Sequence, residues 1–172
     1  MSFVKHACLT ILLLVILAAA AGLAFTRNGL SARTAPPAIE AAVARRIRSL
    51  SIPSSAGRQV NPVAGDAAAW LDGGRHFQDH CAMCHGEDGA GKSEIGKNLY
   101  PKVPDMRQAS TQELSDGALY FVIMNGIRYT GMPAWEEEHT PEETWKLVSF
   151  IRRMPRLTPE ELEKVMAESP RR

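Results

Sequence analysis

The stretch HCAMCHGEDGAGKSEIGKNLY, residues 80–100, places Cys81 and Cys84 three positions apart and follows the second cysteine directly with His85. A glycine-rich segment comes next. A Cys-x-x-Cys pair is compatible with a structural zinc ion, with a redox-active disulfide or with covalently attached haem. The rest of the sequence is needed to choose among these three.

Zinc and disulfide chemistry fit this stretch poorly. A structural zinc site normally has four ligands, often from two paired clusters, but no second Cys-x-x-Cys is present. The remaining candidates are Cys8, which lies in an apolar run, and His76, His80 and His139. A thioredoxin-type pair expects a strand before the motif and a helix after it, whereas here a helical pattern leads in and glycines lead out. Haem attachment, for which Cys-x-x-Cys-His is the recognised pattern, is the favoured hypothesis.

The spacing also has a physical reason. Thioethers from two residues three apart can reach two vinyl groups on one edge of a porphyrin, and His85 can then turn beneath the ring to ligate the iron. Met/His ligation is the arrangement of electron-transfer cytochromes c and raises the reduction potential. Met132 is the candidate sixth ligand, because in NGIRYTGMPAW Gly131 permits close backbone approach and Pro133 fixes the following chain. Gap filling is the alternative role for this methionine.

The rest of the chain is dominated by helical patterns, without alternating strand patterns. Glycine- and proline-rich loops, residues 86–110 and 126–139, are long for one small domain, and a large apolar cofactor would give them something to pack against. The predicted fold class is therefore all-α, with short helices wrapped around one covalent haem. Helix starts are predicted at Asp66, at Ser115 with Gly126 as the stop, at the capping box Thr140-Pro141-Glu142-Glu143, and at the similar Thr158-Pro159-Glu160-Glu161, whose helix ends in a frayed SPRR.

Residues 7–25 form an uncharged apolar run close to the length that a bilayer-spanning helix needs. The length favours a retained membrane anchor, while small residues at 18–21 suit a cleaved export signal as the alternative. Lys5, Arg27 and Arg33 flank the run and weakly place its C-terminal side in the cytoplasm. The predicted organisation is an anchor or signal segment over 1–25, a basic linker over 26–65, a haem domain over 66–157 and a charged helix and tail over 158–172.

The linker is rich in proline and serine, and as a flexible coil it would span about 35 Å. Its residues Ile39, Val43, Ile47 and Leu50 fall on one helical face, so a short amphipathic helix is predicted there.

Formal charge is divided unevenly along the chain. Residues 1–65 carry seven basic and one acidic side chain, whereas residues 66–172 carry 13 basic and 18 acidic ones. A nucleic-acid partner is therefore not indicated, and the basic part suits a solvated linker near lipid headgroups.

Residues 61–158 resemble a class I cytochrome c domain, nearest the small membrane-associated bacterial type found in cbb3-oxidase-like chains. The blocks NPVAGDAAAWLDGGRHFQDHCAMCHGEDGAGK, YPKVPDM, SDGALYFVIMNGIRYTGMPAW and PEETWKLVSFIRRM match that family in order. The resemblance implies one covalently attached haem c, with thioethers at Cys81 and Cys84, His85 as the proximal ligand and Met132 as the distal ligand.

The resemblance also implies a helix crossing at which Gly73 and Phe77 meet Leu147 and Phe150. One segment departs from the family pattern, because residues 96–99 are Gly-Lys-Asn-Leu where many members have Gly-Pro-Asn-Leu. The proline carbonyl that accepts from the proximal histidine is then missing, and the candidate replacement is Pro101. For Trp135, packing is expected rather than a role at the haem edge.

In function, the resemblance implies an electron carrier rather than an enzyme, cycling between Fe(II) and Fe(III) at the periplasmic surface of the inner membrane. Because such cytochromes receive their haem outside the cytoplasm, this implication outweighs the weak opposite indication from Arg27 and Arg33. Its partners would be a donor and an acceptor redox protein of a respiratory kind. A solvated face that can guide a basic partner is expected from the acidic residues Asp72, Asp79, Glu87 and Asp88. The alternatives are a fixed haem subunit of a larger dehydrogenase or oxidase, a soluble periplasmic carrier after signal cleavage, and an open-site haem protein, against which Met132 argues.

Overall fold

The computed structural model describes residues 2–168, so Met1 and the predicted fraying of the C-terminal SPRR lie outside the described residues. Within that range the chain is helical, without strands, as the all-α prediction requires. It divides into two units after residue 34. The helices are α1 Ser2–Asn28, α2 Ala38–Ser51, α3 Ser54–Gly57, α4 Ala67–His80, α5 Ala82–His85, α6 Ala109–Gln112, α7 Asp116–Asn125, α8 Pro141–Arg153 and α9 Pro159–Glu168, with 3₁₀ turns at Gly96–Asn98 and Met154–Arg156.

The first unit contains α1, whose apolar side chains are exposed along its length. Its segment Phe3–Arg27 is long and apolar enough to cross a membrane. The predicted N-terminal apolar helix is thus confirmed as a helix, and length and composition suit either an anchor or a signal.

The predicted helix starts of the second unit are confirmed. Each is capped by a side chain that lies two or three positions before the N–H group it bonds. Side-chain oxygens accept hydrogen bonds from backbone N–H groups of the first turn, which otherwise lack partners. The α7 stop is also confirmed, since Gly126 has φ 65°. The caps are Asp66 to Ala68 N (2.8 Å), Ser115 to Ala118 N (3.2 Å), the Thr140 and Glu143 capping box, and Thr158 to Glu161 N (3.2 Å).

The centre of the second unit is the crossing of α4 and α8. Gly73 brings the backbones together, since a Cβ built there would lie 1.9 Å from the Lys146 carbonyl oxygen. One turn later the rings of Phe77 and Phe150 pack with centroids 5.3 Å apart. The crossing that the family resemblance implies is therefore present. The core that surrounds it consists of Phe77, Leu119, Ile123, Leu147, Val148, Phe150, Ile151, Met154 and Val165.

Two segments at the edges of the expected haem domain also pack on it. Val165 of α9 is fully buried in the core. Before α4, the buried Asn61 donates from Nδ2 to the Trp145 carbonyl (3.1 Å) and to Ser149 Oγ (2.9 Å). The segment preceding α4 is therefore fixed to α8, so this end of the linker is not a flexible coil.

The amphipathic helix predicted in the linker is present as α2. Its apolar residues Ile39, Val43, Ile47 and Leu50 are exposed, each by more than half. The end of α2 nearer the N-terminus contacts the rest of the second unit through the hydroxyl of Tyr100, which donates to Glu40.

Candidate functional site

The two cysteines and the histidine of the motif share one helical turn. The Cys81 N–H bonds to the Phe77 carbonyl (2.8 Å), so the turn continues directly from α4. The His85 N–H then bonds to the Cys81 carbonyl (2.9 Å), which closes the turn α5. Cys81 and Cys84 are both free thiols of intermediate exposure. The core helix α4 thus holds all three side chains at its C-terminal end.

Burial shifts the ionisation of Cys81. Burial raises the pKa of the Cys81 thiol to about 12, and the neighbouring Cys84 adds to the shift. Such a thiol is protonated at neutral pH in the chain without a ligand, and a metal would have to displace that proton.

His85 is neutral at physiological pH and lacks a partner for one ring nitrogen. Burial lowers the pKa of His85 to about 4, so the imidazole keeps its lone pair. Its Nδ1 is buried without a hydrogen-bond partner. The Pro101 carbonyl, which was the expected acceptor, therefore does not form this hydrogen bond. A buried nitrogen without a partner is costly, and ligation of one ring nitrogen with hydrogen bonding of the other is the usual solution in metal-bound histidines.

The loop after the motif folds back onto the motif turn. Ser93 Oγ donates to the Cys84 carbonyl (2.9 Å), and the Gly91 N–H donates to the His85 carbonyl (2.7 Å). A Cβ at Gly96 would lie 2.1 Å from the Cys84 carbonyl oxygen, so only glycine permits this approach. Residues 96–99, the GKNL segment, therefore lie beside the motif turn, although the proline that many family members have there is missing.

Arg107 fastens the two ends of the 86–110 loop to each other. Its guanidinium bonds to both carboxylate oxygens of Asp105 (2.8 Å each) and to Asp88 Oδ2 (2.8 Å). The hydrogen bonds from Arg107 hold the pKa of Asp105 down, at about 2. Asp88 is thus paired rather than simply solvated, and so is Asp72, which forms salt bridges to Arg75 and Lys146.

Met132 lies in a separate loop that reaches the same region. Its N–H bonds to Thr130 Oγ1 (3.1 Å), and its carbonyl accepts from the Ile127 N–H (3.1 Å). A Cβ at Gly131 would lie 2.9 Å from Leu99 Cδ1, so this loop rests against the GKNL segment. Met132 is partly buried against the core that Cys81 also borders.

Met106 borders the same core and is the other loop methionine near the motif. Its N–H bonds to the Gly89 carbonyl (2.8 Å), which fixes it to the loop after the motif. Trp135 follows Met132 and stacks on His139, with centroids 4.6 Å apart and ring planes 15° apart. This contact is the packing role that the sequence predicts for Trp135.

These residues fit a covalently bound haem c. Two free thiols and a neutral histidine with an unpartnered nitrogen lie on one turn, and a partly buried thioether lies on a loop that packs against the loop after that turn. A c-type haem needs these donors, and the buried apolar side chains around them would exclude water from the iron.

The structure also reveals a cluster of three histidines that the sequence did not predict. His76, His80 and His139, dismissed as partners for the cysteines, each offer one ring nitrogen within 4.8 Å of the other two. The i,i+4 spacing of His76 and His80 was the available sign, because it puts both on one helix face. His139 carries no such sign, since it lies 59 positions after His80.

The central part of this chain is similar to known proteins. Residues 68–151 match the family described as cytochrome C oxidase, cbb3-type, subunit III. The cbb3-type cytochrome c oxidase subunit CcoP of Cereibacter sphaeroides is 28% identical over 93 residues. That match covers 54% of this chain and 30% of the relative, so the likeness spans less than a third of the relative's length. The matched residues include the motif turn, the Met132 loop and most of α8.

Proposed function

We propose an electron-carrier function from the premise that residues 68–151 are a cytochrome c domain, distantly related to subunit III of cbb3-type oxidases. Electron transfer is implied at the level of that family. The finer proposal is that this chain binds one haem c and passes single electrons between two redox proteins. The observation that carries it is the turn at the end of α4, where two free thiols lie together with His85, whose Nδ1 is buried and unpartnered.

In this proposal Cys81 and Cys84 form the thioethers, and His85 and Met132 hold the iron. The haem supplies one-electron chemistry by cycling between Fe(II) and Fe(III). Because burial keeps His85 neutral, its ring can ligate iron without first losing a proton. The thioether of Met132 would favour the reduced metal and so raise the potential relative to a more strongly donating ligand.

Covalent attachment is tested by replacing both cysteines with alanine. The native chain should carry one haem that resists acid–acetone extraction and stains on a denaturing gel. The Cys81→Ala, Cys84→Ala double variant should lose that stain, and a Cys8→Ala variant is the matched control. Haem that is extracted from the native chain would contradict covalent attachment.

The sixth ligand is tested by comparing two methionine variants. Met132→Ala should abolish the weak far-red absorption band of methionine-ligated ferric haem, lower the reduction potential and open the iron to added cyanide or imidazole. Met106→Ala is the matched control, because Met106 borders the same core from a different loop. If Met106→Ala produces these changes and Met132→Ala does not, Met132 is the wrong ligand.

For localisation, we propose that α1 is retained as a single membrane span with the haem domain on the periplasmic side. The support is the length and apolar composition of Phe3–Arg27. A spanning helix resists salt and carbonate washing, whereas basic side chains held by lipid charge are released. A soluble periplasmic haem protein with a mature N-terminus near residue 22 would establish signal cleavage instead.

A second candidate function is that of a fixed haem subunit within a larger membrane complex. Two observations favour it: the similar CcoP protein is an oxidase subunit, and α2 exposes an apolar stripe that includes Ile39 and Leu50. Purification from detergent-solubilised membranes, followed by mass spectrometry, separates the two cases. A constant set of co-purifying subunits supports the complex, and a chain that purifies alone supports the mobile carrier.

A further inference from the structure

We propose that His76, His80 and His139 form a separate site for a divalent transition-metal cation of the zinc type. His76 and His80 lie one turn apart near the C-terminal end of α4, and His139 lies directly before the capping box of α8. One ring nitrogen from each is within 4.8 Å of the other two. Two histidines at i,i+4 with a third from another segment are a common way to present three imidazoles to zinc.

Each of the three imidazole rings already lies against the other two. Their centroids are 4.6 Å apart for His76 and His80, 4.3 Å for His76 and His139, and 5.3 Å for His80 and His139. Nitrogens bound tetrahedrally to zinc at about 2.0 to 2.1 Å stand about 3.3 Å apart. Closing from 4.8 Å requires a movement of about 1.5 Å at most. Rotation of the exposed His80 side chain can supply much of it.

Three ring nitrogens of the cluster are buried without a hydrogen-bond partner. His139 is 4% exposed, and both of its ring nitrogens are buried without a hydrogen bond. His76 Nε2 is buried and unpartnered as well. Buried polar atoms are nearly always paired in folded proteins, so three unpaired nitrogens in one cluster point to a missing partner. A metal cation would accept the lone pair of one nitrogen on each ring, and the other ring nitrogen of His139 carries the proton.

The charge state of the rings suits a cation. Burial is the main cause that lowers the pKa of His139, to about 4, and the neighbouring His76 and His80 lower it further. Burial and then His80 also lower the pKa of His76. Neutral imidazole is the form that binds metal, and Trp135, stacked on His139, limits the freedom of that ring.

The ligand types define the class of metal, and a neighbouring cleft gives a cation access to the site. Three imidazoles without a carboxylate among them favour zinc, copper or nickel over magnesium or calcium, which prefer oxygen ligands. His76 also lines an open cleft, through which a cation and a fourth ligand, a water molecule, can enter. The cleft contains the carboxylates of Asp72, Asp79, Glu143 and Glu168 beside Arg75 and Lys146.

A metal at this site would join two parts of the domain that converge on the motif. His80 directly precedes Cys81, and His139 ends the segment that begins at Met132. The bound cation would therefore hold this segment against the end of α4. His85 is not a member of the cluster, so the proposal is independent of the haem assignment.

The test is zinc binding by the full-length, haem-loaded chain in detergent, prepared without a polyhistidine tag. Equilibrium dialysis against buffered free zinc gives the stoichiometry and affinity. The variants are His80→Ala, whose side chain is exposed, and His139→Leu, which keeps apolar volume at the buried position. His6→Ala in α1 is the matched control, and far-UV circular dichroism and the haem spectrum establish that each variant is folded.

We expect one zinc per chain at micromolar free zinc in the native protein and in His6→Ala. His80→Ala and His139→Leu should each weaken binding at least tenfold, and the X-ray absorption spectrum of bound zinc should show three imidazole nitrogens. Affinity that is unchanged in folded His80→Ala overturns the proposal. A native chain that binds no zinc at one hundred times that concentration overturns it as well.

Discussion

Replacing Gly73 with alanine tests the α4–α8 crossing on which the site depends. The new Cβ would lie 1.9 Å from the Lys146 carbonyl oxygen and 2.8 Å from the Leu147 nitrogen, whereas real Cβ atoms hardly ever come closer than 3.0 Å. Both obstructing atoms belong to the backbone, so the helices must separate by about 1 Å at a well-packed contact. Overpacking of this kind costs up to about 3 kcal/mol, and the better helix propensity of alanine returns about 1 kcal/mol.

The expected net loss is about 2 kcal/mol of unfolding free energy. Gly74→Ala is the matched control, because it has the same propensity gain in the same helix. Its Cβ would meet side-chain atoms of Phe150 and Val165 at 3.0 Å, and these atoms can yield by a few tenths of an ångström. We therefore expect Gly74→Ala to change stability by less than about 1 kcal/mol.

The assay is guanidinium unfolding of the full-length haem protein in detergent, followed by far-UV circular dichroism and by haem absorption. Gly73→Ala should lower the transition midpoint without changing the slope, since a lower midpoint at constant slope reports stability alone. If Gly73→Ala is as stable as Gly74→Ala, the backbone contact at the crossing is not as close as described. Equal and large losses in both variants would refute the distinction between backbone and side-chain obstruction.

Two further predictions concern contacts that hold the loops and the segment before α4. Because Arg107 lowers the pKa of Asp105 to about 2, this carboxylate stabilises the fold above its usual pKa of about 4 and loses that effect as pH falls from about 4 to 2. Asp105→Asn should flatten this part of the stability–pH curve and cost about 1 kcal/mol at pH 7, and an unchanged acid slope would contradict the pairing. Asn61→Ala removes the hydrogen bonds to the Trp145 carbonyl and Ser149. It should lower the unfolding free energy by about 2 kcal/mol, measured by chemical unfolding. The control Asn98→Ala, at an exposed position, should lower it by less than about 0.5 kcal/mol.

The amino-acid sequence by itself determined the local elements. The caps at Asp66, Ser115, Thr140 and Thr158 involve side chains and N–H groups two or three positions apart, so the sequence alone contains both partners. The apolar length of α1 and the spacing of Cys81, Cys84 and His85 are likewise properties of a short window. For this reason the helix starts and the all-α class were predictable, and the Cys-x-x-Cys-His pattern was recognisable.

Only the tertiary structure decided which distant residues meet. Asn61 bonds to Trp145, 84 positions later, so the attachment of the linker end to α8 was not visible in either segment alone. His76 and His80 were recognisable as neighbours, but His139 joins them only because α4 and α8 cross closely at Gly73. Local hydrogen bonds and periodicity act over a few residues, whereas these contacts depend on how whole helices pack. The crossing, rather than any single motif, thus placed the histidine cluster.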